Sequence, residues 1–564
     1  MKKTFLLTIL IYTLASLSTK LKAQSVPVGG AFDDYYRRQQ LLGKVDSSLS
    51  FTIRPLFSNS AIKTQDIFDP DSILRNNSWT QNSALTFAKG KGIVQILPLS
   101  WQQQFNSDHP FGWNDGAMIP AKGYQTLING GFFFKYGPLT IQLKPEFVYA
   151  ANPSFKGYLS GHINDLDLTS YYGYYNYIDQ PERFGTGAYS KAFLGQSSIR
   201  LNFGAASIGL SNENIWWGPG IRNSLILSNN APGFKHITIN TTRPINIYIG
   251  KFEGQIIAGK LENSNYSLLS SSTLSTGTDL LFPKRNEWRY FAGFNLNYHP
   301  KWISGLTLGL TRTFNAYHSD ISGIGGYIPF FVPYQKQTIA NGDPFPRDQY
   351  TSLYARWLFT KAQAEIYFEY GLNDNSYNFR DFIGSPDHSR AYILGIRKMM
   401  PFGEAIDQRI LLSAEMTQLS QSPDRLVREA GGWYIHNGVN QGHTNLGQVL
   451  GAGTGSGGNL QSIDLSWVSG FKKLGIGFER YEHDVDFYRT AFSDINGNSR
   501  KWVDIAIALQ GEWNFKNLIF NANLQGIKSY NYEWTLKNYD PSKYYIPNND
   551  VFNFHGELGV TYRF

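Results

Sequence analysis

The chain alternates to its last residue. From Phe552 onward, one face carries Phe552, Phe554, Gly556, Leu558, Val560, Tyr562 and Phe564, and the other Asn553, His555, Glu557, Gly559, Thr561 and Arg563. Successive side chains of a strand point to opposite faces, so this segment specifies a ribbon that is apolar on one side and polar on the other. A wall between hydrocarbon and a watery lumen needs that pattern, although a half-buried soluble strand shares it. Repetition and length separate the two. Val503, Ile505, Ile507, Leu509, Trp513 and Phe515 oppose Asp504, Ala506, Ala508, Gln510, Glu512 and Asn514. Ile366, Phe368, Tyr370 and Leu372 oppose Glu365, Tyr367, Glu369 and Gly371 in the same way. Such segments approach the ~10 residues of a tilted membrane strand and exceed the ~5–6 usual in soluble sheets.

Counted along the chain, these segments number roughly eighteen to twenty, and the expectation is an all-β, transmembrane antiparallel β-barrel of about 18 strands, occupying 50–564 as one domain, with Phe51 to Leu56 as the first strand candidate. Gly137-Pro138 and Lys516-Asn517 have the chemistry of tight turns, while 316–349, 373–387 and 418–460 have the length of outer loops. A barrel this wide leaves an open lumen unless something fills it. Two segments without strand periodicity are candidates: residues 24–49, expected as a partly helical N-terminal periplasmic segment, and 157–193, expected as a helical plug insertion.

Residues 1–23 have the organisation of a secretory signal. Lys2 and Lys3 precede an apolar run from Phe5 to Leu17, which is too short to span as a helix, and cleavage is expected near Ala23. The four lysines of this segment supply half of the net charge of +8, leaving +4. The remaining basic residues form no run, so nucleic acid is not an expected partner. There is no cysteine, hence no disulfide, thiolate metal site or lipid attachment point. Aromatic residues make up 15% of the chain against 17% charged, a balance that suits aromatic girdles and a lipid-facing wall. Localisation in a bacterial outer membrane is the expectation.

The sharpest local motif is Asn212-Glu213-Asn214-Ile215-Trp216-Trp217-Gly218-Pro219-Gly220, followed by Leu225-Ile226-Leu227-Ser228-Asn229-Asn230-Ala231-Pro232-Gly233. Paired indoles beside paired amides suit a sugar ring, which has an apolar C–H face and a rim of hydroxyls. The alternative is structural: the tryptophans seal the barrel end and the asparagines satisfy turn backbones. Arg222 and the aromatic pair Trp433 and Tyr434, with His436, complete the candidate polysaccharide-binding set.

These motifs, together with HPFGWNDGAMIPAKGYQ from His109 to Gln125 and QGHTNLGQVLG from Gln441 to Gly451, resemble the Wzi family of capsule-assembly outer-membrane proteins. The resemblance covers roughly residues 50–564. It implies an eighteen-stranded barrel occluded by helices on the periplasmic side, acting as a lectin for exported capsular polysaccharide. Expected partners are capsular or surface polysaccharide, outer-membrane lipid and polysaccharide export machinery. The competing readings are an outer-membrane channel or porin, and a soluble secreted β-protein.

No enzymatic activity, cofactor or metal is expected. Glu365 and Glu369 share the lumen face, but four strand positions separate them by ~13 Å, beyond the ~5–9.5 Å of a glycosidase pair. They are expected to pair with basic groups such as Arg289 or Arg409. His436 and His443 lack a third ligand. Gly451 to Gly458 has the composition of a flexible loop and lacks the Lys-Ser/Thr of a phosphate cradle.

Overall fold

The computed structural model describes residues 24–57, 84–331, 347–373, 379–405, 407–422, 431–492, 500–537 and 549–564. The signal-peptide expectation for 1–23 lies outside them. Eighteen antiparallel strands close into a barrel, beginning at Gly92–Asn106 and ending at Val551–Tyr562. These two strands pair from Tyr562 opposite Leu99 to His555 opposite Asn106, and a short piece, Ala84–Phe87, extends the seam by pairing with Gln95 to Gly92. Outward side chains such as Trp101, Leu353, Phe368, Ile507 and Leu558 are exposed, while their sequence neighbours face a filled interior. An exposed apolar cylinder of this kind fits hydrocarbon, with every wall hydrogen bond satisfied between strands.

Short turns such as Gly137-Pro138, Gly204-Ala205, Gly470-Phe471 and Lys516-Asn517 gather at the end that also receives the C-terminus. In outer-membrane barrels that end is periplasmic, and the long connections lie outside. The stretch from Phe51 to Leu56 is not wall. Ile53–Arg54 instead pairs with Trp216–Trp217 as a two-stranded patch inside the lumen.

Five α-helices accompany the barrel among the described residues: α1 (Ala31–Leu41), α2 (Asp165–Tyr175), α3 (Gly323–Tyr327), α4 (Phe379–Gly384) and α5 (Val485–Ala491). Helix α1 starts with Asp33 and Asp34 and carries Arg38 in its last turn, matching the helix dipole. Its polar side chains are nearly all buried, because the surface they meet is the polar inner face of the wall. Arg37 donates to Glu365 at 2.8 Å, and Arg356 donates to the other oxygen of the same carboxylate. Arg38 bridges Asp34 at 2.9 Å and Glu512 at 2.8 Å, and Arg397 reaches Asp34 at 2.6 Å. Burial opposes ionisation of Asp34, but Arg397, Lys473 and Arg38 outweigh it and hold the carboxyl far below its usual range. Glu365 thus pairs with plug and wall arginines, while Arg289 donates to the carbonyls of Gly442 and Thr444.

An apolar ring seals this end: Phe32, Tyr35 and Val45 of the plug pack against Leu97, Phe133, Phe471 and Ile519 of the wall and turns. The segment 157–193 lies at the opposite, outer end. Helix α2 is capped there by Asn164, whose side chain accepts from the Asp167 amide, and it packs against α5 and Trp534. The lumen filling from the periplasmic side is therefore residues 24–57, with α2 belonging to the outer cap.

The plug's ion pairs generate a first prediction. Glu365→Gln leaves Arg37, Arg356 and Arg397 facing one another without their shared carboxylate, a defect of ~3–5 kcal/mol for a buried pair. The expected result is a lower thermal midpoint in the heat-modifiable gel shift and faster proteolysis within 24–57; an unchanged midpoint would remove this network from the basis of lumen closure.

Candidate outer-face glycan site

Three outer connections fold inward rather than away from the barrel: 107–122, 212–235 and 431–458. Their contents explain why. In Trp216-Trp217-Gly218-Pro219-Gly220 the two indoles are 1% and 0% exposed. Trp217 donates its Nε1–H to Gln255 at 2.8 Å, and the Arg54 guanidinium lies 4.3 Å from the Trp216 ring. Gly218 adopts φ +138° where a Cβ would press on Glu369 and Ser224. This turn can approach the wall only as glycine.

Trp216 borders the internal cavity described below, and against the expected sugar-stacking role this placement gives Trp216 and Trp217 no ring face on the outer surface. The same holds for Trp433 and Tyr434. Trp433 donates to the Ser389 carbonyl at 3.0 Å; Tyr434 donates to the Leu225 carbonyl at 2.7 Å and accepts from the Ala452 amide. Asn230 is spent on the Val449 carbonyl at 2.9 Å, and Asn229 donates to the Asn114 carbonyl at 2.8 Å. Trp433, Tyr434, Asn229 and Asn230 are each held by backbone of a distant loop, which makes them part of the frame of the inward fold.

The glycine run 451–458 belongs to the same frame and is packed, not flexible. A Cβ at Gly451 would collide with Tyr434 and the Leu225 carbonyl, and one at Gly453 would collide with Trp113. His443 is locked among these groups, with Nε2 on the Ile226 carbonyl at 2.7 Å, and burial lowers its pKa to about 4. Among the described residues no group of three potential metal ligands occurs.

Arg222 lies apart from the frame's interior. It pairs with Glu479 at 2.7 Å and stacks on Trp113 at 4.9 Å, at the edge of an internal cavity of about 420 Å³. Wall amides such as Gln102, Asn129 and Asn523 line this cavity, with α1 on its periplasmic side. A second apolar cluster, Phe111, Trp113, Leu460, Tyr481 and Ile527, packs toward its outer side. Asp115 on its lining is raised to about 6 by burial and by the nearby Glu557.

His436 alone of the predicted set sits on the outer face. Its amide donates to the Tyr177 carbonyl at 3.1 Å, and its Nδ1 accepts from the amides of Gly438 and Val439. Tyr177 meets the exposed Phe282 edge-on at 6.2 Å. Exposed Asn437 and half-buried Asn440 continue the surface, and the Asn440 amide bonds Tyr317 Oη at 3.1 Å. Arg285 lies 4.1 Å over the Tyr317 ring and pairs with Glu287 and Asp320. Lys284 donates to the Ile178 carbonyl, and burial lowers its pKa to about 8 against the pull of Asp179. Aromatic edges, amides and cations thus share one outward shelf, resting on the rigid Trp433–Tyr434 pair. Tyr177, Phe282, Arg285, Asn437 and Asn440 are not marked by any local motif; the Tyr-rich run Tyr171 to Tyr177 is the one signal that points toward them.

Two measurements check this assignment of frame and shelf. Trp216→Ala removes a buried indole and is expected to cost ~3–5 kcal/mol, read as a lowered heat-modifiability midpoint; a variant as stable as the parent would return Trp216 to the candidate contacts. In the outer cap, Asp484 accepts from the Phe487 amide at 3.0 Å and the Tyr175 hydroxyl at 2.6 Å, and burial raises its pKa to about 7. A raised carboxyl pKa favours the folded cap at low pH and loses that contribution as pH rises from about 4 to about 7. Amide exchange in α5, corrected for intrinsic rate, is expected to speed up across that range, and Asp484→Asn to flatten the response.

Comparison with known proteins agrees with this architecture. The model of the family described as capsule assembly protein Wzi matches residues 128–519. No curated protein sequence matches the chain. The solved structure of Wzi from Escherichia coli, an outer membrane protein involved in group 1 capsule assembly and a carbohydrate-binding β-barrel, aligns over 96% of this chain and 100% of that one. Its TM-score is 0.58 at 12% identity. OprD of Pseudomonas aeruginosa aligns over 86% and 97% at 9% identity with a TM-score of 0.38. OccAB2 of Acinetobacter baumannii aligns over 83% and 98% at 10% identity with a TM-score of 0.39. The family match runs through most of the barrel and the inward-folded loops 212–235 and 431–458, and the chain belongs to the Wzi family of capsule assembly proteins.

Proposed function

We propose that this protein is a non-catalytic outer-membrane barrel that binds capsular or surface polysaccharide on its outer shelf. The observation that carries the reading is the convergence of Tyr177, Phe282, His436, Asn437 and Arg285 on one exposed face, backed by a frame that cannot rearrange cheaply. C–H faces of a sugar stack on the aromatic rings, and its hydroxyls bond the amides. Each contact is weak. A polymer presents many repeats, so a second contact on the same chain is effectively intramolecular and retention comes from avidity. The two apolar seals around the internal cavity favour a surface role over a solute channel. Delivery of the polymer by export machinery and cleavage of the signal near Ala23 complete this reading.

Tyr177→Ala combined with Phe282→Ala is expected to weaken binding to purified capsule by about tenfold, corresponding to ~1.4 kcal/mol of lost stacking. Capsule should be shed from cells that still carry heat-modifiable barrel. Equal retention by the double variant would place the glycan elsewhere.

A further inference from the structure

The outer wall is not uniformly suited to lipid. On the strand Arg289–Pro300, Phe291 packs on Phe234 and His443 inside the lumen, so Tyr290, Ala292 and Phe294 face outward. The residues in register with them on Leu306–Tyr317 are Ala316, Phe314 and Arg312. Ala292, Phe314 and Ala316 are nevertheless buried, and Arg312 is only 2% exposed. The loop that follows covers them by folding down the outside of the barrel. Tyr290 donates its hydroxyl to the Tyr327 carbonyl at 2.7 Å, and Phe294 meets Phe330 edge-on at 5.5 Å. Beneath this cover Arg312 lies 4.7 Å over Phe314, and Arg347 lies 5.5 Å from the same ring. An outward arginine costs ~2–4 kcal/mol at the bilayer midplane, so a protein layer over this strip is favoured.

A second loop, two strands further on, also folds against the outside of the wall. Tyr370 faces outward beside Phe368 and donates its hydroxyl to the Pro386 carbonyl, tying down the segment that contains α4. The surfaces these two covers turn away from the wall carry large apolar side chains, with Arg380 exposed among them. Ile324 is 82% exposed and Phe379 71%, with Ile328, Phe382 and Ile383 also exposed.

We propose that the segments 323–330 and 379–386 form an apolar apron that inserts among the hydrocarbon chains of the outer leaflet and anchors this sector of the barrel to lipid. The occupant follows from continuity. Leu308, Leu353, Phe368 and Leu394, on the strands directly beneath, form the exposed lipid-facing belt, and the apron extends that surface toward the headgroups. Leaving these side chains in water would forgo ~25 cal/mol per Å² of apolar surface. The apron thus replaces a polar stretch of wall with a second, apolar outer skin.

The absence of native cysteine permits single spin labels in the full chain. Ile324→Cys, Phe379→Cys and Phe382→Cys are labelled in reconstituted vesicles, with Leu353→Cys as a belt reference and Asn437→Cys as an aqueous reference. Apron labels are expected to show oxygen accessibility far above that to a water-soluble nickel complex, as at Leu353. Nickel accessibility matching Asn437 would overturn the proposal. So would protection from both reagents with dipolar broadening between labels, the outcome for a face that pairs with a second copy.

Discussion

Backbone hydrogen bonding without water is the constraint on which the rest of the structure depends. In hydrocarbon an open sheet edge is untenable, so the first and last strands must meet. They do so along Leu99 to Asn106, and Ala84–Phe87 carries the seam further toward the periplasmic end. Closure fixes the number of strands, and that number fixes the width of the lumen. From this point the chain faces a second problem: the inner wall that period-two alternation makes polar encloses more space than wall side chains can fill.

The filling is polar because the surface it meets is polar. Helix α1 would be an odd core element in a soluble protein, with Arg37, Arg38, Gln39 and Gln40 all buried. Inside this barrel Arg37, Arg38 and Gln40 find partners: Glu365 and Glu512 on the wall, the Gly470 and Phe471 carbonyls at a turn, and Arg356 bonded to Gln40. Around the cavity, apolar packing lies at two levels, below and above it. A buried ion pair brings modest net stability against its desolvation, so these contacts serve mainly to specify where the plug sits.

Much of the wall was legible because its determinants are local. The segments 503–515, 518–530 and 551–562 alternate without interruption, and Lys516-Asn517 occupies the turn between the first two. The Trp-Gly-Pro-Gly motif was legible as special but not as a frame, since its partners lie far away in sequence. Trp216 answers to Arg54 and Trp217 to Gln255, contacts that no window around the motif contains. The glycine run 451–458 misled for the same reason: its composition is that of a loose loop, and only the approach of Trp113 and Tyr434 shows that the glycines make room for packing. The shelf was the least legible part, because Tyr177, Phe282 and Asn437 come from three connections that the closed barrel alone brings together.

Whether an outer loop folds into the lumen or down the outside follows from the same polarity rule. Loops 107–122, 212–235 and 431–458 carry amides, indoles and glycines that match the polar inner rim and one another, and they turn inward. The segment 323–330 is rich in glycine and isoleucine, with few groups that could satisfy the inner face. Next to it the outer wall breaks its own alternation with Arg312, Arg347 and Gln349. An apolar loop over a polar strip of wall removes two mismatches at once, one with water and one with lipid. The barrel therefore has two kinds of lid: one closes the bore and carries the outward shelf, and the other covers the strip where the wall lacks a continuous apolar exterior.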